Sequence, residues 1–87
     1  MKNVLLTPKA LREIGFWAKE DRKTLLKILD LISDIQRDPF SGLGKPEPLR
    51  HDFKGLWSRR IDNTHRLIYS VEADQIVIAA CRFHYSK

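Results

Sequence analysis

The sequence predicts an α+β fold: a short N-terminal strand and a two-helix hairpin, with the helices packed on one face of a twisted, mainly antiparallel sheet. Two amphipathic segments with helical spacing fill most of the first half of the chain. In the second half the apolar pattern changes to the period of two that is typical of strands. A loop rich in proline and glycine separates the two halves. Helices followed by a run of strands are typical of α+β domains.

Composition and length indicate one globular domain that spans residues 1–87. The hydrophobic share of 43% and the charged share of 31% are near the averages of globular proteins. Neither a signal-peptide pattern nor an apolar stretch of membrane-spanning length is present, so we expect a soluble, cytoplasmic protein. The single cysteine, Cys81, lies in an apolar run and is expected to be a buried thiol. The three histidines have no metal-ligand spacing, and we expect no metal and no other cofactor.

The first half of the chain carries the signals of one strand and two capped helices. Lys2 to Leu6 is a short apolar run that suits a strand. Thr7 is a suitable N-cap, with Pro8 at the first helical position. Asp21 can cap a second helix, which should end before Pro39 because the residue preceding proline leaves the helical region. The apolar stripes of the two helices consist of Leu11, Ile14, Trp17 and Ala18, and of Leu25, Ile28, Leu29, Ile32 and Ile35.

The connecting loop holds a carboxylate between two prolines. Glu47 lies between Pro46 and Pro48, and both rings restrict the backbone. Pro48 favours an extended conformation of Glu47. We therefore expect a carboxylate on a stiff stem that belongs to neither a helix nor a strand. An ordinary solvated loop residue is the alternative interpretation.

The second half of the chain predicts a three-stranded antiparallel meander with one apolar and one basic face. The residues predicted to cover the helices are Phe53, Trp57, Leu67, Tyr69, Val71, Val77, Ala79, Cys81 and Phe83. Those predicted on the opposite, open face are Lys54, Ser58, Arg60, Arg66, Ser70, Arg82 and His84. Ile68 and Ile78 also fall on the open face, so the alternation is imperfect.

The charge of the chain points to a polyanionic partner, and its side chains suit a particular chemistry. The net charge of +5 fits nucleic acid, an acidic protein or a membrane surface, although a merely basic domain is equally compatible. RNA cleavage through the 2′-hydroxyl needs a general base, cations that stabilise the phosphorane and an acid for the 5′-oxygen. Arginine donates two parallel hydrogen bonds to phosphate, and histidine titrates near neutral pH. Such sets also occur by chance in basic domains, and the sequence alone does not bring Glu47 near His84.

Four motifs resemble those of the YoeB toxins of the RelE/ParE superfamily, in the same order and spacing. They are residues 44–49 (GKPEPL), 57–61 (WSRRI), 65–69 (HRLIY) and 79–85 (AACRFHY). The resemblance implies a RelE-like, microbial-ribonuclease-like fold and a toxin of a type II toxin–antitoxin system. It implies a ribosome-dependent endoribonuclease, or mRNA interferase, that cleaves mRNA in the ribosomal A site and so inhibits translation. It further implies a homodimer and a YefM-like antitoxin that covers the active site.

The resemblance also assigns roles to particular residues. The family's general base falls on Glu47 and its general acid on His84. Its phosphate-binding arginines fall on Arg60 and Arg66, and its terminal tyrosine falls on Tyr85. The expected catalytic set is Glu47, Arg66, His84 and Tyr85, and Arg60 is expected to bind phosphate.

Other positions match the family less closely. Lys45 and Arg50 are expected to contact RNA, but the family commonly has lysine where Arg50 stands. Arg59 should point away from Arg60 and serve a structural or ribosomal contact. The tail residues 86 and 87 continue past the usual ending of the family.

Two other functions remain open at this stage. A ParE-like toxin shares the fold but inhibits gyrase and needs no acid–base pair, so the joint presence of Glu47, Arg66 and His84 argues against it. A basic module that only binds RNA or the ribosome is the second alternative.

Overall fold

Two helices cover one face of a five-stranded sheet in the computed structural model, which describes residues 2–83. The elements are β1 (Asn3–Leu6), α1 (Pro8–Glu20), α2 (Arg22–Arg37), β2 (Glu47–Pro48), β3 (Trp57–Arg60), β4 (Arg66–Val71) and β5 (Gln75–Ala80). The strand order is β1-β5-β4-β3-β2. Only the β1–β5 pair of this sheet is parallel. The predicted α+β fold is confirmed, and no helix within residues 2–83 is long and apolar enough to cross a membrane.

Local signals set the helix ends as predicted. The Thr7 hydroxyl accepts a hydrogen bond from the Ala10 N–H at 3.1 Å, and Pro8 is the first residue of α1. Asp21 caps α2, accepting from the Thr24 N–H and hydroxyl at 3.3 and 2.9 Å. α2 ends at Arg37, before Pro39. These caps satisfy helix N–H groups that have no partner within the helix.

The hydrophobic core lies between the helices and the sheet. Its fully buried members are Ala10, Ile28, Leu31, Ile35, Leu67, Tyr69, Ile76, Ile78 and Cys81. The stripe of α2 contributes Ile28 and Ile35, as predicted, together with Leu31. Cys81 is a buried free thiol. Burial, with a smaller contribution from the charge of Glu13, raises its pKa to about 12.

The predicted faces of β5 are wrong along most of the strand. Ile76 and Ile78 face the core, whereas Val77 and Ala79 were expected there. The register shows why: Tyr69 pairs with Ile78, but the preceding residue of β4 pairs with Ala80. This β-bulge leaves Ala79 as an extra residue and reverses the alternation beyond it. Cys81 consequently returns to the core, as the sequence pattern predicted.

Three further face assignments are corrected by the structure. Phe53 belongs to a 3₁₀ turn (His51–Phe53) and not to a strand. The Arg82 guanidinium lies 3.6 Å from the centre of the Phe16 ring of α1, so Arg82 is not on the open face. Phe83 does not cover the helices, because it is 55% exposed and has a left-handed φ of 63°. Both Arg82 and Phe83 follow the end of β5, beyond the reach of strand alternation.

Candidate active site

Glu47 lies on a short edge strand that the sequence did not predict. Glu47 and Pro48 form β2, in which Glu47 pairs with Ser58 and Pro48 with Trp57 of β3. Prolines are tolerated at a sheet edge because no further strand requires their missing N–H. The extended conformation predicted for Glu47 is therefore confirmed, while its exclusion from a strand is wrong. The exposed Glu47 side chain shares the face of Ser58, because directly paired residues point the same way.

The loop before Glu47 is tied to the core by Arg59. The Arg59 side chain is 0% exposed, and its five N–H donors make five hydrogen bonds. Nη1 donates to Asp34 of α2 at 2.6 Å and to the Leu43 carbonyl at 3.1 Å. Nη2 donates to the Asp38 carbonyl at 2.6 Å and to the Ser41 carbonyl at 3.1 Å. Nε donates to the buried Tyr69 hydroxyl at 3.2 Å.

This arrangement makes Arg59 structural, one of the two roles expected from the sequence. Asp34 is the charge partner, and its pKa is held well below the usual range. Hydrogen bonds from the Arg37 side chain, from the Leu43 N–H and from Arg59 favour the carboxylate against its partial burial. A buried, fully paired guanidinium thus fixes three loop carbonyls between residues 38 and 43.

Gly44 completes the connection between this loop and β3. Its carbonyl accepts a hydrogen bond from the Arg60 N–H at 2.6 Å. Its φ of 77° is left-handed, and a Cβ there would lie 2.9 Å from the Arg60 carbonyl oxygen. Only glycine fits this close approach without strain. The stem of Glu47 is therefore positioned by packing and hydrogen bonds on both sides.

A cavity of about 260 Å³ lies on the open face beside Glu47. Its lining residues are Glu47, Pro48, Leu49, Arg50, Ser58, Arg66 and Ile68. Glu47, Ser58 and Ile68 are register partners on three successive strands. Neighbouring strands lie about 4.8 Å apart, so the Cα atoms of Glu47 and Ile68 are separated by about 10 Å. The small Ser58 side chain between them leaves space for a group such as a phosphate.

Arg66 is the best-fixed cation of this cavity. Its Nη1 donates to the carbonyls of Asp62 and His65 at 2.7 and 3.0 Å. Burial alone would raise the pKa of Asp62, but hydrogen bonds from the N–H groups of His65 and Thr64 outweigh it and lower that pKa. The turn before β4 is thereby ordered, and it holds the guanidinium through its carbonyls.

Two arginines on the open face oppose each other across adjacent strands. Arg60 pairs directly with Arg66, and Arg60 is exposed. Like charges at such positions repel, and a bound anion would relieve the repulsion. Lys45 and Arg50, both exposed, are the further predicted RNA-binding residues. Of these two, Arg50 lines the cavity.

Phe83, the last residue that the structure describes, is hydrogen-bonded to His65 and to Arg66 at the start of β4. The Phe83 carbonyl accepts from the Arg66 N–H at 2.8 Å. The Phe83 N–H donates to His65 Nδ1 at 2.7 Å. The predicted acid His84 and the predicted Tyr85 lie outside the described residues, as do residues 86 and 87. Within residues 2–83, no group of three or more His, Cys, Asp or Glu side chains could hold a metal ion.

Sequence reasoning missed several residues that shape this site. The partners of Arg59 lie up to 25 positions away in the chain and have no sequence signature. Ser58 was placed on the correct face, but its role as the floor of the cavity depends on the pairing with Glu47. In the sequence, His65 stands out only as the first residue of the motif at residues 65–69. Its contact with Phe83 could not be foreseen from local patterns.

Comparisons with known proteins point to the same family over nearly the whole chain. Residues 6–85 match the family model described as YoeB-like toxin of bacterial type II toxin–antitoxin system. Toxin YoeB of Mycobacterium bovis is 49% identical over 85 residues, which are 98% of this chain and 100% of the relative.

Solved structures of this kind also match over nearly the whole chain. A YoeB/ParE toxin from Agrobacterium tumefaciens has a TM-score of 0.92 and 43% identity, covering 98% of this chain and 100% of its own. A YoeB dimer from Staphylococcus aureus has a TM-score of 0.89 and 38% identity, with coverages of 97% and 98%. A YoeB–YefM complex from the same organism has a TM-score of 0.87 and 36% identity, with coverages of 98% and 99%.

Proposed function

This chain belongs to the YoeB-like toxins of bacterial type II toxin–antitoxin systems, and we propose that it is a ribosome-dependent endoribonuclease that cleaves mRNA in the A site. The observation that carries the proposal is the cavity that Glu47 and Arg66 both line. A base and a phosphate-binding cation are what attack by a 2′-hydroxyl on the adjacent phosphorus requires.

In this mechanism Glu47 takes the proton of the 2′-hydroxyl. The resulting oxygen attacks phosphorus, and Arg66 and Arg60 stabilise the added negative charge. His84 then protonates the departing 5′-oxygen, which leaves a 2′,3′-cyclic phosphate on one fragment and a 5′-hydroxyl on the other. Tyr85 would stack on or orient the RNA. The bonds of Phe83 to the start of β4 support this scheme, because they anchor the residue before His84 beside Arg66.

The ribosome supplies what this small cavity cannot provide alone. The cavity is small, about 260 Å³, and contacts only a short part of an RNA chain, so free RNA has many ways to lie across it. A codon held in the A site presents one phosphate in a defined orientation, and such alignment can supply a large part of a barrier reduction. The basic surface around Lys45, Arg50 and Arg60 would hold rRNA or mRNA phosphates, with a strong dependence on salt.

Cleavage by programmed ribosomes tests the proposal. Glu47→Gln and His84→Gln should each slow single-turnover cleavage by about 10²–10⁴-fold. Glu20→Gln, at the exposed end of α1, is the matched control and should cleave like the wild type. Primer extension locates the cut, and end-group analysis identifies the cyclic phosphate. If Glu47→Gln cleaved at the wild-type rate, Glu47 would not be the general base. Inhibition of gyrase without any mRNA ends would instead favour the ParE-like alternative.

We also propose that a YefM-like antitoxin neutralises the protein and that two copies associate. The named complex and dimer among the similar structures support these partners. An antitoxin segment that covers the cavity should be acidic, since the toxin carries a net charge of +5. Light scattering on the free protein tests the dimer. Co-purification with the product of a neighbouring reading frame, followed by a cleavage assay, tests the antitoxin.

A further inference from the structure

The backbone between Cys81 and Phe83 is held by groups from two distant elements. The Cys81 N–H donates to the Glu13 carboxylate at 2.8 Å, and its carbonyl accepts from Trp17 Nε1 at 2.9 Å. Both partners belong to α1. Two residues later, the N–H and the carbonyl of Phe83 bond to His65 Nδ1 and to the Arg66 N–H. The segment is therefore fixed at both of its ends.

Of these contacts, the hydrogen bond that His65 Nδ1 accepts is the one that requires a particular tautomer of the ring. A backbone N–H can only donate, so Nδ1 must carry a lone pair and the ring proton must lie on Nε2. The ring also meets Trp17 edge to face, with centroids 4.8 Å apart. The His65 N–H itself donates to Asp62 at 2.7 Å. Backbone and ring are thus both fixed, and Nδ1 is presented in one direction.

The backbone of Phe83 needs this support. Its φ of 63° lies in the left-handed region, which is unfavourable for a bulky residue. Its side chain is 55% exposed and cannot offset that cost by burial in the core. Two hydrogen bonds, to its N–H and to its carbonyl, stabilise this conformation. Its ring also lies near the His65 ring, with centroids 5.6 Å apart, and the Arg82 guanidinium is 4.6 Å from its centre. Loss of the hydrogen bond to Nδ1 would allow the Phe83 backbone to relax to an ordinary extended conformation.

We propose that His65 is a positioning residue for the cleavage reaction: its Nδ1 holds Phe83 in the left-handed conformation and so fixes the backbone to which the next residue, the proposed acid His84, is attached. This inference rests on the proposed function. His65 needs no contact with RNA in this role. A displacement of a reacting group by about 1 Å can cost about 10²-fold in rate, so one lost hydrogen bond is enough to matter.

Two substitutions separate the hydrogen bond from the packing of the ring. His65→Phe keeps an aromatic edge against Trp17 but removes the acceptor. His65→Asn loses the ring but can place an amide oxygen near the position of Nδ1. We expect His65→Phe to lower the single-turnover rate at saturating toxin by about 10–100-fold, with little change in half-saturation. His65→Asn should restore most of that rate. Thermal unfolding of each variant checks the fold.

Hydrogen exchange of the Phe83 amide gives a readout that does not depend on cleavage. It should become faster in His65→Phe and stay protected in His65→Asn. A His65→Phe variant that cleaves like the wild type would overturn the inference while leaving the proposed function intact. Equal losses in both variants would overturn it too, because ring packing would then be what matters. A wild-type protein that does not cleave would refute the proposed function and, with it, any role of His65 in that reaction.

Discussion

Two segments that connect to the cavity-lining residues, one through Glu47 and the other through Arg66, are held in different ways. The loop side, residues 38–48, carries Glu47 and is held by the buried guanidinium of Arg59, which makes five hydrogen bonds. The chain-end side, residues 81–83, donates hydrogen bonds to Glu13 and His65 and accepts them from Trp17 and from the β4 backbone. Arg59 is 0% exposed, whereas Phe83 is 55% exposed.

The difference indicates that the loop side mainly supports the stability of the fold, whereas the chain-end side mainly sets the orientation of the backbone at Phe83. A buried charge that loses its partners is very costly, so the loop side cannot rearrange without loss of the fold. Single hydrogen bonds near the surface contribute about 0.5–1.5 kcal/mol each, so the chain end can shift while the domain stays folded. Changes on the loop side should therefore reduce stability first, and changes on the chain-end side should reduce activity first.

The largest effect should come from Arg59→Met. Removal of the guanidinium takes a donor from three loop carbonyls and from the Tyr69 hydroxyl, while Asp34 keeps Arg37 and the Leu43 N–H. A buried acceptor that loses its partner costs about 1–3 kcal/mol, so we expect a loss of about 3–5 kcal/mol in the free energy of unfolding. That is a large part of the roughly 5–15 kcal/mol typical of a domain. Urea denaturation measures it, with the exposed neighbour Arg60→Met as control. A loss below about 1 kcal/mol would show that the loop side is not held by this network.

A smaller loss should follow from Gly44→Ala. The left-handed φ and the close Arg60 carbonyl both oppose a Cβ, and we expect about 1–3 kcal/mol of destabilisation. Gly15→Ala is the matched control, because Gly15 lies inside α1 with nothing within 4 Å of an added Cβ. It should stabilise the protein by about 0.5–1 kcal/mol. Equal effects at both positions in thermal unfolding would contradict the assigned role of Gly44.

The loop side should also weaken gradually in acid. The pKa of Asp34 is lower in the folded protein than in the unfolded chain, where it is about 3.9. Its contribution to stability is therefore present above pH 4 and is lost as the pH falls through the folded pKa. Urea denaturation between pH 6 and pH 3, in wild type and in Asp34→Asn, should show a flatter dependence in the variant. If the free energy of unfolding depended on pH in the same way in Asp34→Asn and in the wild type, Asp34 would not be responsible for the loss of stability in acid.

The smallest effect is expected at Cys81. Its thiol is buried and its pKa is raised to about 12, so little thiolate forms near neutral pH. Thiol reagents should leave the native wild type unmodified and react only after unfolding. His65→Phe should speed this labelling more than Arg60→Met does, because it loosens the segment next to Cys81. Rapid labelling of the native wild type would show that the chain-end side opens by itself.

The sequence predicts this molecule well where the signals are local. Both helix caps and the end of α2 depend on neighbouring residues, and all were predicted correctly. The faces of β5 were not, because a bulge depends on the pairing with β4 and leaves no mark in the alternation itself. The motifs containing Glu47 and Arg66 were found, but their shared cavity follows from strand register.

The contacts of Arg59 and His65 lie further from what a sequence can show. The prediction that Arg59 points away from Arg60 was correct, yet its carbonyl partners come from a loop 16–21 positions earlier. His65 meets Phe83 across 18 positions. Any residue can supply the backbone group in such a hydrogen bond, so the sequence does not indicate which distant residue is the partner.

The position of β5 in the sheet has a consequence for how the protein is made. β5 is the last strand within residues 2–83, yet it lies between β1 and β4 and pairs with both. During synthesis β1 emerges first and has no partner until β5 has left the ribosome. Such non-local pairing delays completion of the sheet until β5 is available. A nascent chain that lacks β5 therefore has β1 unpaired and β4 paired on one side alone, so the sheet that carries the cavity is still incomplete.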